Sequence, residues 1–155
     1  MIKNTANSIG YIELAYALNT GMNYASIQNK EGNFIKPSLK TTSAAVQAGS
    51  QLIPAAGNQS WSNVSIVNVP GPELYPIASF SYLLPYKDLG TNIADKQKAQ
   101  KLVDFISWAL NEGQIFGPYL GYVPIPKEVG NLNQETLQSL SFKGDPMIVN
   151  SAAGY

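Results

Sequence analysis

Between Asp95 and Asn111 the chain repeats apolar residues at the spacing of one helix face. Ala99, Leu102, Val103, Ile106, Ala109 and Leu110 recur on that face, while Lys98, Lys101, Asp104 and Ser107 occupy other positions. This pattern predicts an amphipathic α-helix. Asp95 suits the N-cap, where a carboxylate accepts from the unpaired N–H groups of the first turn, and Gly113 suits a stop. Such a helix owes most of its stability to packing of its apolar stripe, so the rest of the chain has to supply a surface for it.

The flanking sequence offers strands and shorter helices. Ser8–Ile12 reads as a strand, followed by a short helix over Glu13–Asn19 that ends near Gly21. Tyr24–Gln28 and Asn33–Ile35 flank the polar loop Asn29–Gly32 and predict a hairpin with an exposed tip. A modest helix is expected over Thr42–Ala48, before Gly49 and Pro54 interrupt it. Ala55–Glu73 is loop-like, with a strand patch at Ser65–Val69 and a turn at Pro70-Gly71-Pro72. Tyr75–Lys87 reads as a strand buried on two faces, which should end, bulge or lie at an edge at Pro85 because proline donates no ladder hydrogen bond. Further on, Gln114–Leu120 predicts a short helical turn, Gly121–Pro126 an extended segment, Asn133–Leu140 a last helix with Asn133 as N-cap, and 143–155 a weakly ordered tail. No repeat period is present, and the alternation of strands with helices predicts an α/β fold.

Composition narrows function mainly by exclusion. The 155 residues suffice for one domain, and 45% hydrophobic against 13% charged, with ten basic and ten acidic residues, excludes a disordered chain and disfavours nucleic-acid binding. All ten basic residues are lysines. Without arginine's planar fork, an anion site built within this chain needs lysine or backbone N–H donors. Histidine and cysteine are absent, which removes Ser-His-Asp and Cys-His catalysis, the usual zinc ligand sets and disulfides. No signal peptide begins at Met1 and no apolar run reaches the roughly 20 residues of a membrane span; the chain is therefore expected to be cytosolic or to lack its N-terminal portion. The low charge and the sequons Asn58-Gln59-Ser60 and Asn63-Val64-Ser65 suit an exported protein.

Candidate chemistry is sparse. Gly10, Gly21 and Gly32 are too widely spread for a phosphate-cradling loop and are expected to serve turns and caps. Glu13, Glu73, Asp88 and Asp104 fall on different elements and are expected to be solvated rather than paired for hydrolysis. Tyr75, Phe80, Tyr82, Tyr86, Phe105, Trp108, Phe116, Tyr119 and Tyr122 could line a cleft, but core packing is the expectation. Ser8, at the mouth of the first strand, could face a ligand or cap a turn.

Several blocks, taken together, resemble one family. Ser8-Ile9-Gly10-Tyr11-Ile12-Glu13-Leu14-Ala15-Tyr16-Ala17 is similar to the S-I-G-Y-V-E-x-A-Y-A run of the phosphate-binding proteins of phosphate ABC transporters. Gly32–Ser38 resembles that family's G-x-F-V-x-P-S, and Tyr75–Asp88 its Y-P-I … Y-L-L-x-Y-K-D. Leu102–Gly113 and Leu120–Pro126 resemble its L-V-D-F-x-x-W-A-L-x-x-G and L-G-Y-V-P-L-P. The blocks keep the family's order over about residues 8 to 140 and belong to its C-terminal stretch.

The resemblance implies the C-terminal part of a periplasmic-binding-protein-like (class II) two-lobed α/β fold. It also implies an extracytoplasmic solute-binding protein, not an enzyme, that captures inorganic phosphate for an ABC transporter permease. No cofactor, metal or nucleic acid is implied. The family's phosphate contacts, hydroxyls, backbone N–H groups, an Asp and an Arg, come from segments that would precede Met1, so no ligand-binding or catalytic residue maps onto this sequence. Residues 1–60 would end one lobe and 75–140 complete the other, with a crossing between Ala55 and Ile77. The stripe along Leu102 and Ile106 would then lie exposed. A secreted structural or interaction protein reusing this half fold is the alternative function, and another oxyanion such as sulfate the alternative ligand.

Overall fold

The computed structural model describes residues 2–53 and 59–149. Among them are four α-helices, α1 Leu14–Thr20, α2 Leu39–Gly49, α3 Lys96–Leu110 and α4 Lys127–Gln138, and four short strands. The strands form two antiparallel hairpins, β1 Ile27–Gln28 with β2 Phe34–Ile35 and β3 Ser141–Phe142 with β4 Asp145–Pro146. Helices and small sheets of this kind are compatible with an α/β class.

Helix ends follow local chemistry. Asp95 Oδ1 accepts from Lys98 N at 3.0 Å, the predicted N-cap of α3. Gly21 closes α1 in the left-handed conformation, φ 61°, as expected of a C′ glycine. Helix α2 starts earlier than predicted because Ser38 and Thr41 form a capping box: Thr41 N donates to Ser38 Oγ at 3.1 Å and Ser38 N to Thr41 Oγ1 at 3.1 Å. The last helix also starts earlier. It begins at Lys127 after Pro126, not at Asn133, and places Val129, Leu132 and Leu137 inward. The expected turn beyond α3 is present as 3-10 segments, Glu112–Phe116 and Pro118–Leu120.

The first hairpin forms in the register Ile27 opposite Ile35. Its tip is exposed at Lys30–Gly32, whereas Asn29 is buried. Asn29 Oδ1 accepts from Glu31 N at 3.1 Å and Asn33 N at 3.0 Å, and its Nδ2 donates to Gly71 O at 3.0 Å. One amide thus closes the turn and fastens it to a loop far along the chain. That loop returns to α2, where Tyr75 N donates to Thr41 O at 3.1 Å.

Three predicted strands form no ladder among the described residues, Ser8–Ile12, Ser65–Val69 and Tyr75–Lys87; the last two make only isolated bonds, among them Asn68 N to Pro76 O at 2.8 Å and Ser141 N to Lys87 O at 2.9 Å. Their residue types fit strands, but a strand needs a neighbour to bond. In 65–69 the backbone turns, with Asn68 at φ 52°, and Ile66 and Val69 enter the core. Residues 143–149, expected as part of a weakly ordered tail, form the second hairpin and its exit: Lys143 at φ 51° and Gly144 at φ 88° make the tight turn, and Met147 is buried. Residues 150–155 lie outside the described residues.

Two hydrophobic clusters result. The first joins Ala45 and Val46 of α2 to Ile66, Val69 and Ala78, with Leu74 and Phe80 against it. Gly49 lies so close to Ile66 that a Cβ there would strike the Ile66 side chain. The second joins Leu89, the α3 residues Ala99, Val103 and Ile106, Leu137, Leu140, Phe142 and Met147. The stripe along Leu102 and Ile106 is therefore not the exposed face: Ile106 is buried and Leu102 packs against this cluster. The accessible surface is 10835 Å² for 16.7 kDa, whereas a compact monomer of that mass exposes about 7,600 Å².

Candidate functional site

Among the described residues a groove of about 690 Å³ is the larger of two concave features. One wall is Ser79–Pro85; the other comprises the C-terminal half of α3, the segment Tyr122–Ile125 and the inner face of α4. Gln114 holds the far end in shape, its Nε2 donating to Ala109 O at 2.6 Å and its Oε1 accepting from Ile125 N at 2.9 Å. The lining contains no Lys, Asp or Glu; Ser79, Ser81, Gln114, Asn133 and Thr136 are among its polar members. A phosphate transferred there would lose hydration without gaining a charged partner.

A smaller cavity of about 230 Å³ lies between the end of α2 and α4, lined by Ser50, Ile53, Asn131 and the carboxylates Glu128 and Glu135. Its charge is wrong for an anion. Four of the lysines are engaged elsewhere. Lys40 and Lys96 pair with Glu73 and Asp145 at 3.8 and 3.0 Å, and Lys36 and Lys143 lie over the rings of Tyr24 and Phe142 at 5.1 and 5.4 Å.

The candidates raised by sequence fall out as follows. Ser8 Oγ donates to Thr5 O at 2.7 Å, a local turn bond. The four carboxylates are engaged separately: Glu13 Oε2 accepts from the Tyr122 hydroxyl at 2.9 Å, Glu73 meets Lys40, Asp88 Oδ1 accepts from Gly90 N and Lys143 N at 2.8 Å each, and Asp104 Oδ1 accepts from Gln100 Nε2 at 2.9 Å. The hydrogen bond to Glu13 raises the Tyr122 pKa, so the phenol stays protonated. Among the described residues no group of three or more acidic side chains could hold a metal.

The aromatics overturn the expectation of core packing. Tyr82, Tyr86, Phe105, Trp108, Phe116, Tyr119 and Tyr122 are all exposed. Phe105 stacks on Trp108 at 5.9 Å between ring centroids, and Trp108 meets Phe116 at 6.2 Å, forming an aromatic patch on the outer side of α3. Trp61 and Phe80 approach Tyr82 edge-on at 5.9 and 6.3 Å beside the groove. What sequence reasoning missed is the groove itself, since it arises from segments far apart in the chain.

The phosphate-binding protein PstS of Methanocaldococcus jannaschii is 32% identical over 136 residues, which cover 85% of this chain and 34% of that protein. The PstS proteins of Pasteurella multocida and Xylella fastidiosa are 37% and 35% identical over 128 and 130 residues. The chain belongs to the phosphate-binding protein family. It spans about a third of the length of these curated relatives, 34%, 33% and 32% respectively. No family model matches the chain. In this phosphate-binding family member, neither described cavity has a lining suited to a phosphate ion, and no described helix is long and apolar enough to cross a membrane.

Proposed function

We propose that this chain is the C-terminal portion of an extracytoplasmic, two-lobed (class II) solute-binding protein that captures inorganic phosphate and passes it to an ABC transporter permease. On this reading it is a binding module and not an enzyme, and the anion contacts come from polypeptide beyond this chain. The observation that carries the reading is the combination of kinship along most of the chain with a main groove that offers no charged side chain. A dehydrated phosphate needs several charge-assisted donors, and a chain without arginine provides none of the bidentate kind.

The two hydrophobic clusters support a division between lobes. They part between Phe80 and Leu89, so we place the crossing there, later than the stretch between Ala55 and Ile77 expected from the resemblance, of which 55–58 lie outside the described residues.

Titration calorimetry tests the reading. Phosphate added to the isolated chain produces no binding heat, and co-expression with the remaining two thirds of the M. jannaschii protein restores it. Tight stoichiometric binding by the isolated chain would overturn the proposal.

A further inference from the structure

The sequons Asn58-Gln59-Ser60 and Asn63-Val64-Ser65 take no part in the reading above. Asn58 lies outside the described residues. The second sequon sits on a built turn. Val64 N donates to Trp61 O at 3.0 Å, which bends the chain over Trp61–Val64 and puts Asn63 at the third position. Asn63 and Ser65 are exposed, and no described residue bonds the Asn63 side chain. Just beyond, Ile66 is buried in one cluster with Ala45 and Val46 of α2, so the turn is tied to the core on one side and open to solvent on the other. Asparagines that shape this fold behave differently. Asn29, Asn33 and Asn111 each spend their amide on a backbone carbonyl, donating to Gly71 O at 3.0 Å, Pro72 O at 3.1 Å and Ser107 O at 2.7 Å.

These features match what transfer of a glycan to asparagine needs. A carboxamide nitrogen is a poor nucleophile, because resonance draws its lone pair into the carbonyl. An enzyme that activates it must take the whole amide into its own site together with the hydroxyl two residues on, which requires an exposed, bent segment and an amide not already bonded within the protein. Neither Val64 nor Ile66 is proline, so the pattern is one that such an enzyme reads.

We propose that Asn63 is an N-glycosylation site, the acceptor for an oligosaccharide carried on a polyprenyl phosphate at the outer face of the membrane. The inference rests on the extracytoplasmic location proposed above. In the transfer, Asn63 Nδ2 forms a bond to the anomeric carbon of the first sugar as that carbon's bond to the phosphate oxygen breaks. The lipid phosphate leaves with the electron pair, and one amide proton passes to a base of the transferase. A glycan here adds hydrated surface to a chain in which only 13% of residues are charged.

The test separates the native cells into external and cytosolic fractions, cleaves the protein after lysine, and sequences the 41–87 peptide by electron-transfer mass spectrometry. A glycan mass on Asn63 is expected in the external fraction. Asn63→Gln and Ser65→Ala each abolish that mass and Ser65→Thr keeps it, all three leaving the circular dichroism unchanged because both positions are exposed. Three outcomes overturn the inference: a bare Asn63 in the external fraction, a glycan confined to Asn58, or an added mass that survives Ser65→Ala. Location and phosphate binding separate this site from the family reading. External protein with a bare Asn63 loses the glycan site and keeps the transport role, whereas cytosolic protein with a bare Asn63 loses both. A glycan on Asn63, in protein whose complex with the remaining two thirds of the M. jannaschii protein gives no phosphate heat, keeps the site and removes phosphate capture.

Discussion

Asp88 stands where two stretches of chain far apart in sequence meet, 87–90 and 141–143. Its Oδ1 accepts from Lys143 N and Gly90 N, while Ser141 N donates to the neighbouring Lys87 O at 2.9 Å. The Lys143 N–H, then that of Gly90, hold the carboxyl below the usual carboxylate range. A depressed folded pKa means that the ionised group contributes stability above its unfolded value of about 3.9, and that this contribution is lost as pH falls through the lower folded value. Asp88→Ala is therefore expected to melt earlier than the parent at neutral pH, with the gap closing in acid. Asp88→Asn, which keeps an accepting oxygen, should fall between them. Thermal melts from neutral to acid pH check this, and a gap that stays constant with pH counts against it. Bonds of this reach also mark the limit of sequence reading. Asp95 and Gly21 were legible because a cap acts on backbone within its own turn, whereas Asp88 reaches 55 residues to Lys143 and Asn29 reaches 42 to Gly71.

At the scale of elements, helices were easier to foresee than strands. The α3 pattern gave its length, cap and buried face, because a helix satisfies its own hydrogen bonds; even so, Ser107 is buried and Phe105 exposed. Helix α4 could have been read from Glu128 in its first turn and from Val129, Leu132 and Leu137, but Gly130 and the prolines before it masked the start. The second hairpin carried a glycine in a two-residue turn, a signal lost in an apparent tail. Paired strands, by contrast, depend on residues elsewhere, and alternation alone cannot name them. The contact between α2 and the 65–69 segment yields a prediction of its own. Gly49→Ala would add helix propensity worth about 1 kcal/mol, but its methyl meets Ile66, whose β-branched side chain has little rotamer freedom. Overpacking costs typically about 1–3 kcal/mol, so denaturant unfolding should show net destabilisation. Adding Ile66→Ala removes the clash, and the Gly49→Ala change should then cost less or turn favourable. Additive effects would mean the contact is not felt.

The whole molecule presents more surface than its mass requires, and the excess is apolar in two places, the groove beside 81–84 and the aromatic patch of Phe105, Trp108 and Phe116. Contiguous apolar surface of this extent drives association. The isolated chain is expected to be marginally stable or self-associating, visible as concentration-dependent mass in light scattering and a broad melt. A monodisperse monomer melting cooperatively would contradict this. The family was legible in ordered blocks of sequence, but the open faces were not, because periodicity tells which side of an element is apolar and not whether anything covers it.

The two apolar places happen to hold the chain's two tryptophans, Trp61 lining the groove and Trp108 in the outer patch. The protein thus has a natural optical gauge. Covering the groove moves Trp61 out of water and shifts its emission to the blue, and replacing either indole with phenylalanine assigns the signal to one face, so assembly can be timed without attaching a dye.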